Sequence, residues 1–165
     1  MRKPLAILAA LLLAPMLAVA QPAPASVWGA SSGTFMERFN AAASSQGLRL
    51  NIGVVFCSVG QALDCDADAG GVRLGLRGTD NPEAVREVRV TFQGSTPAAM
   101  VAAASHVIMQ IAQPDAPAEE RRLAVLGTLG LGGVARTGGT QIGQTEVRLR
   151  DRPRGGEVVF QNATR

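Results

Sequence analysis

The chain has 165 residues, 47 % of them apolar and 18 % charged, with a formal net charge of +3 and only 4 % aromatic residues. A chain of this size buries enough surface to be stable without metals or many disulfides. The charge falls far short of the basic excess of nucleic-acid-binding domains, the shortage of rings disfavours a stacking site for sugars or bases, and a single histidine excludes a zinc centre built on several of them.

The N-terminus has the three-part layout of a secretory signal peptide: Arg2 and Lys3, an apolar run from Leu5 to Leu13, and the small-residue site Ala18-Val19-Ala20. The apolar run is shorter than the roughly 20 residues that span a bilayer, and Pro15 interrupts it. The expectation is a cleaved signal over 1–20 and a periplasmic or secreted protein, with no stable membrane insertion after cleavage. Gln21 stands where a lipoprotein needs cysteine. Without Arg2 and Lys3 the chain carries 14 Arg, no Lys and 13 Asp plus Glu, a net charge of +1.

Residues 21–33 are rich in Pro, Ala, Ser and Gly and read as a flexible leader, with Trp28 as the one residue able to dock. A single domain is expected over 34–165, a length sufficient for one core. Thr34 with Glu37 forms a capping box, and Phe35, Met36, Phe39, Ala42 and Ala43 recur at helical spacing up to Gly47. Leu48, Leu50, Ile52, Val54 and Phe56 then alternate with polar or small residues, which predicts a half-buried strand. Gln61 to Gly71 reads as a loop. Val72, Leu74 and Leu76 define a second strand; Val88, Val90 and Phe92 define a third.

Pro97 opens a helix with an apolar stripe of Met100, Ala104, Val107, Ile108 and Ile111, ended by Pro114. Pro117 to Leu129 is a second helix of this pair, with Glu119 and Glu120 in its first turn. Gly130 to Gly139 is a turn-rich connection, Val147 and Leu149 alternate in a strand, and Glu157 to Gln161 forms the last. The order α-βββ-αα-ββ(β) predicts an α+β domain: a mainly antiparallel sheet of five to six strands with about three helices packed on one face. Both halves run helix then strands, a weak sign of internal duplication.

Cys57 and Cys65, with seven residues between them, are the only cysteines. In an oxidising compartment they predict a disulfide. The alternative is a pair of free thiols, and the spacing is not the Cys-x-x-Cys of thiol exchange. Asp64, Asp66 and Asp68 alternate as in a calcium loop, but Ala69 and Gly75 stand where that loop needs Gly and Glu. His106 adjoins Ser105 on a helix, where neighbours do not face each other; it reads as a structural histidine. The glycines from 127 to 139 follow a helix rather than a strand and lack Gly-Lys-Ser/Thr, so they read as a helix end and turns. No metal and no cofactor is expected.

The strand assignments place Arg49, Arg73, Arg77, Arg89, Arg148 and Arg150 on the polar face of the sheet. Such a face suits a partner protein or an anionic envelope component, since guanidinium groups form bidentate pairs with carboxylates. The competing interpretation is a solvated face on which Glu87, Glu146, Asp151 and Glu157 balance the arginines through cross-strand pairs. The expected function is an exported binding module of the cell envelope, an inhibitor, neutraliser or accessory subunit, acting through this face. Two alternatives stand beside it. One is a small periplasmic hydrolase drawing paired carboxylates from Glu37, Asp64, Asp80, Glu83 or Glu146. The other is a carrier of a small apolar ligand.

Overall fold

The chain is described here by a computed structural model, which covers residues 26–163 apart from 59, 61, 81 and 82. The expected signal peptide and its cleavage site lie outside the described residues.

The first helix, α1 (Ser32–Ser45), starts one turn earlier than Thr34 suggests. Ser31 is the N-cap, its Oγ accepting the N–H of Thr34 at 3.2 Å. In place of a capping box, the carboxylate of Glu83, from a distant strand, takes the N–H of Ser32 at 2.6 Å. Ahead of the helix, part of the expected leader is docked. Val27 is fully buried and donates its N–H to Ile111, Gly29 and Ala30 exchange backbone hydrogen bonds with Val85, and Trp28 Nε1 donates to Thr145 Oγ1 at 2.7 Å.

Among the described residues seven strands follow in one antiparallel sheet, where five to six were expected. They are β1 (Ile52–Cys57), β2 (Ala62–Ala69), β3 (Arg73–Asp80), β4 (Glu83–Gln93), β5 (Gly139–Ile142), β6 (Thr145–Arg152) and β7 (Gly155–Asn162), in the order β1-β2-β3-β4-β7-β6-β5. The stretch expected to be a loop contains β2. There Leu63, Cys65, Ala67 and Ala69 are buried, and the three aspartates occupy the alternate positions. β5 emerges from the end of the glycine-rich connection. Helices α2 (Ala98–Ala112) and α3 (Ala118–Leu129) join β4 to β5; Gly130, at φ 68°, supplies the left-handed turn that closes α3.

The alternation expected through Phe56 breaks in β1. Ile52 pairs with Ala69 and Val55 with Ala67, so an extra residue is accommodated between them. This β-bulge reverses the side-chain parity. Val55 shares a register position with buried Ala67, while Val54 and Phe56 are exposed at 57 % and 72 %. Cys57 and Cys65 stand directly opposite each other and form the expected disulfide, S–S 2.07 Å.

One face of the sheet meets the helices. Leu74, Leu76, Val88, Val90, Val147, Val158 and Phe160 from the strands pack in one cluster with Phe35 and Phe39 of α1 and Ala104, Val107 and Ile108 of α2. The other face is open. The connectivity has an internal symmetry: β2-β3-β4 and β5-β6-β7 are each a meander, and their last strands pair at the centre. Superposing Val88 on Val158 brings the cross-strand pair Arg77–Glu87 onto Arg150–Glu157.

Candidate functional site: the open face of the sheet

Register fixes what shares this face. One row across the strands reads Asp68, Arg73, Thr91, Glu157, Arg150; the next reads Phe56, Asp66, Gly75, Arg89, Val159, Arg148, Gly139; the third reads Asp64, Arg77, Glu87, Gln161, Glu146, Gln141. Arg152, opposite Gly155, extends the face beyond the first row. The face thus holds Arg73, Arg77, Arg89, Arg148, Arg150 and Arg152 against Asp64, Asp66, Asp68, Glu87, Glu146 and Glu157. Guanidinium and carboxylate groups are equal in number.

Several are paired. Arg77 meets Asp64 across the β2–β3 ladder, and Arg89 meets Glu87 on its own strand. Arg148 Nε donates to Glu146 at 2.6 Å, and Gln161 holds the other oxygen of that carboxylate at 2.6 Å. Arg152 Nη2 donates at 3.0 Å to Glu157, which is only 3 % exposed. Val159, between Arg89 and Arg148, is also buried. Long arginine stems flanking a strand bury its side chains while their heads stay wet.

Five of the six arginines expected on the face are there, and Arg49 is not. β1 begins only at Ile52, so Arg49 lies in the connection after α1, lining a cleft with Leu48, Gly70 and Met100 on the helix side. Of the five, Arg73 and Arg150 have no ion pair among the described residues. They flank one row, with Thr91 and Glu157 between them. At about 4.8 Å per strand spacing, their backbones stand about 14 Å apart.

The carboxylates of the hydrolase alternative do not converge. Asp64 and Glu146 sit four strands apart on the face, each bound to an arginine, whereas paired glycosidase carboxyls stand about 5–9.5 Å apart. Glu37 is exposed on α1. Asp80 and Glu83 face each other in register, but Glu83 is committed to Ser32, whose hydroxyl and N–H hold its carboxyl below the usual range. Among the described residues no three His, Cys, Asp or Glu side chains converge on a metal position; the three aspartates share the column of β2, where Asp64 and Asp68 lie opposite Arg77 and Arg73.

Away from this face, a cleft of about 310 Å³ lies between the start of α2 and the end of α3, lined by Phe92, Val101, Leu129, Leu131, Leu149 and Asp151. His106 lines a smaller one with Leu48, Ala102, Arg122 and Val125. Burial, and then the charges of Arg121 and Arg122, push its imidazole below the usual value.

Sequence reasoning did not include Arg152, Asp64, Asp66 and Asp68 in the face; period-two spacing from Arg148 and Arg150 reaches Arg152, whereas the three aspartates fell in a stretch expected to be a loop. No protein-family model, curated protein or solved structure matches this chain. Among the described residues, no helix is long and apolar enough to cross a membrane.

Proposed function

We propose that the protein is an exported binding module of the cell envelope, periplasmic or secreted, which recognises another protein through the open face of its sheet. The disulfide supports an oxidising compartment. The observation that carries the reading is the pair Arg73 and Arg150, two guanidinium groups without an ion pair among the described residues, on a face whose other four arginines are each engaged. The equal numbers of arginines and carboxylates favour a partner protein of mixed charge over a polyanion, which is attracted by a net positive field.

The test immobilises residues 21–165 and recovers what is retained from envelope extract. A stoichiometric protein released by salt is expected, and lost in the double variant Arg73→Glu/Arg150→Glu. The variant Arg122→Glu, on the helix side, retains it. Equal capture by the double variant refutes this face.

The apolar cleft between α2 and α3 supports a second reading, a carrier of a small apolar ligand, at the lower end of ligand-site volumes. Extraction of purified protein with organic solvent, followed by mass spectrometry, reads whether a ligand travels with it.

A further inference from the structure

The free edge of β1 lies apart from Arg73 and Arg150, at the border of the sheet. We infer that it accepts an extended segment of a partner protein in which basic and apolar residues alternate.

Three observations converge on it. First, β1 borders the sheet and its sequence, Ile52 to Cys57, carries no charged residue, so it lacks the side chains that usually blunt an edge. Second, its hydrogen-bonding groups are open over a defined stretch. Ser58 donates its N–H to Asp64 of β2 at 2.8 Å. Alternation then turns the N–H and C=O groups of Val55 and Cys57 outward. Before the bulge the edge is closed instead, because Asn40 of α1 binds both the N–H and the C=O of Ile52. Third, the bulge sends Val54 and Phe56 out of the core, and with Leu123 they are the large apolar side chains left exposed among the described residues. The disulfide to Cys65 fixes Phe56 in place beside this edge and so lowers the ordering cost of binding.

The chemistry of the occupant follows from the neighbouring column. Asp66 lies directly opposite Phe56, and neither Asp66 nor Asp68 has an ion pair among the described residues. A strand added to β1 lies about 10 Å from β2. An arginine on its open-face side crosses that distance, stacking on the Phe56 ring and reaching Asp66. Its alternate, apolar residues extend the helix side at Val55. A second copy of this chain fits less well. Its β1 carries no basic side chain to meet Asp66, and the six residues of β1 bury too little for a stable dimer, which needs about 1,200 Å².

The test uses the intact disulfide-bonded protein and a fluorescent short peptide of alternating arginine and valine. Its counterparts are a glutamate–valine peptide and an arginine–valine peptide with a central proline. The expected result is binding of the first peptide, at least about tenfold weaker binding of the other two, and new hydrogen-exchange protection at Val55 and Cys57. Phe56→Ser and Asp66→Asn/Asp68→Asn each weaken it by about tenfold or more while leaving the thermal midpoint within a few degrees. Equal affinity for the glutamate peptide, unchanged binding by Phe56→Ser, or protection mapping elsewhere overturns the inference. So does a concentration-dependent dimer that Phe56→Ser dissolves, which would make the occupant a second copy.

Discussion

The carboxamide of Asn40 substitutes for a missing strand at Ile52: its Oδ1 accepts the Ile52 N–H at 2.8 Å, and its Nδ2 donates to the Ile52 carbonyl at 2.9 Å. A helix side chain thereby satisfies both backbone groups of an edge residue whose own side chain is buried. Leaving such groups unpaired costs about 1–3 kcal/mol. Asn40→Ala is expected to lower stability by that amount, seen as a lower urea midpoint at unchanged slope. A variant as stable as the parent would show that water replaces the carboxamide without loss.

The cross-link between Cys57 and Cys65 closes the β1–β2 hairpin, and the loop it encloses is short. The chain-entropy argument assigns such a loop about 2.5 kcal/mol. Reduction of the intact protein is expected to cost that much in unfolding free energy and to speed amide exchange in β1. Exchange at Val88 and Val90, in the middle of the sheet, keeps its protection relative to global unfolding. Uniform loss of protection through β4 would mean that the cross-link holds more than the hairpin.

The contrast between β1 and β3 explains what was legible in the sequence. Leu74 and Leu76 alternate without interruption, so Arg73 and Arg77 fell on the expected face. In β1 the same alternation runs through Leu50, Ile52, Val54 and Phe56, but the bulge reverses it after Ile52. Nothing in an apolar run marks where an extra residue will be accommodated. Arg49 was placed on the face by the same unbroken reading. β2 was missed for a different reason: aspartate is depleted in strands, so Asp64, Asp66 and Asp68 read as a loop. In the sheet Asp64 meets Arg77 across the ladder and Asp68 lies opposite Arg73, a fact of register that local sequence does not carry. With β2 unread, half of the negative charge on the face went unseen, and the face looked more basic than it is. The helices were legible because their apolar spacing is local, as at Phe35, Phe39 and Ala42.

Two glycines of β3 separate a tolerant position from an intolerant one. At Gly75 an added Cβ would meet Arg89 Cβ at 3.7 Å and Asp66 Oδ1 at 3.8 Å, ordinary contacts. At Gly78, next to the irregularity in the β3–β4 ladder, it would lie 2.9 Å from the Ala84 carbonyl carbon and 3.1 Å from Arg86 N, and closer still to the Ala84 oxygen. Backbone atoms of a paired strand cannot yield as a side chain can. Gly75→Ala is expected to change stability by no more than about 0.5 kcal/mol, and Gly78→Ala to cost more than about 2 kcal/mol. Thermal unfolding of the two variants measures the difference; equal midpoints would place the backbone of Ala84 elsewhere.

His106 gives stability a pH dependence whose sign is fixed by its surroundings. The half-buried ring sits on α2, near Arg121 and Arg122 of α3, and both desolvation and those charges disfavour its protonated form. Its folded value is therefore below the ordinary 6.5 that it regains on unfolding. About one and a half pH units or more above 6.5 the ring is essentially neutral in both states and contributes almost no slope. As pH falls through 6.5 the unfolded chain takes up a proton that the folded chain refuses, so stability drops until the lowered folded value is passed, and then levels off. Carboxylates titrate mainly near pH 4, and this is the sole histidine, so the decline between pH 7 and about 5.5 belongs to it. Urea midpoints across that window are expected to fall in the parent and stay level in His106→Gln. Arg122→Gln is expected to lessen the decline by removing one of the two charges, while leaving the midpoint at pH 7.5 nearly unchanged. A parent whose stability is flat from pH 7.5 to 5.5 would show that the ring is as well solvated in the folded state as in the unfolded one.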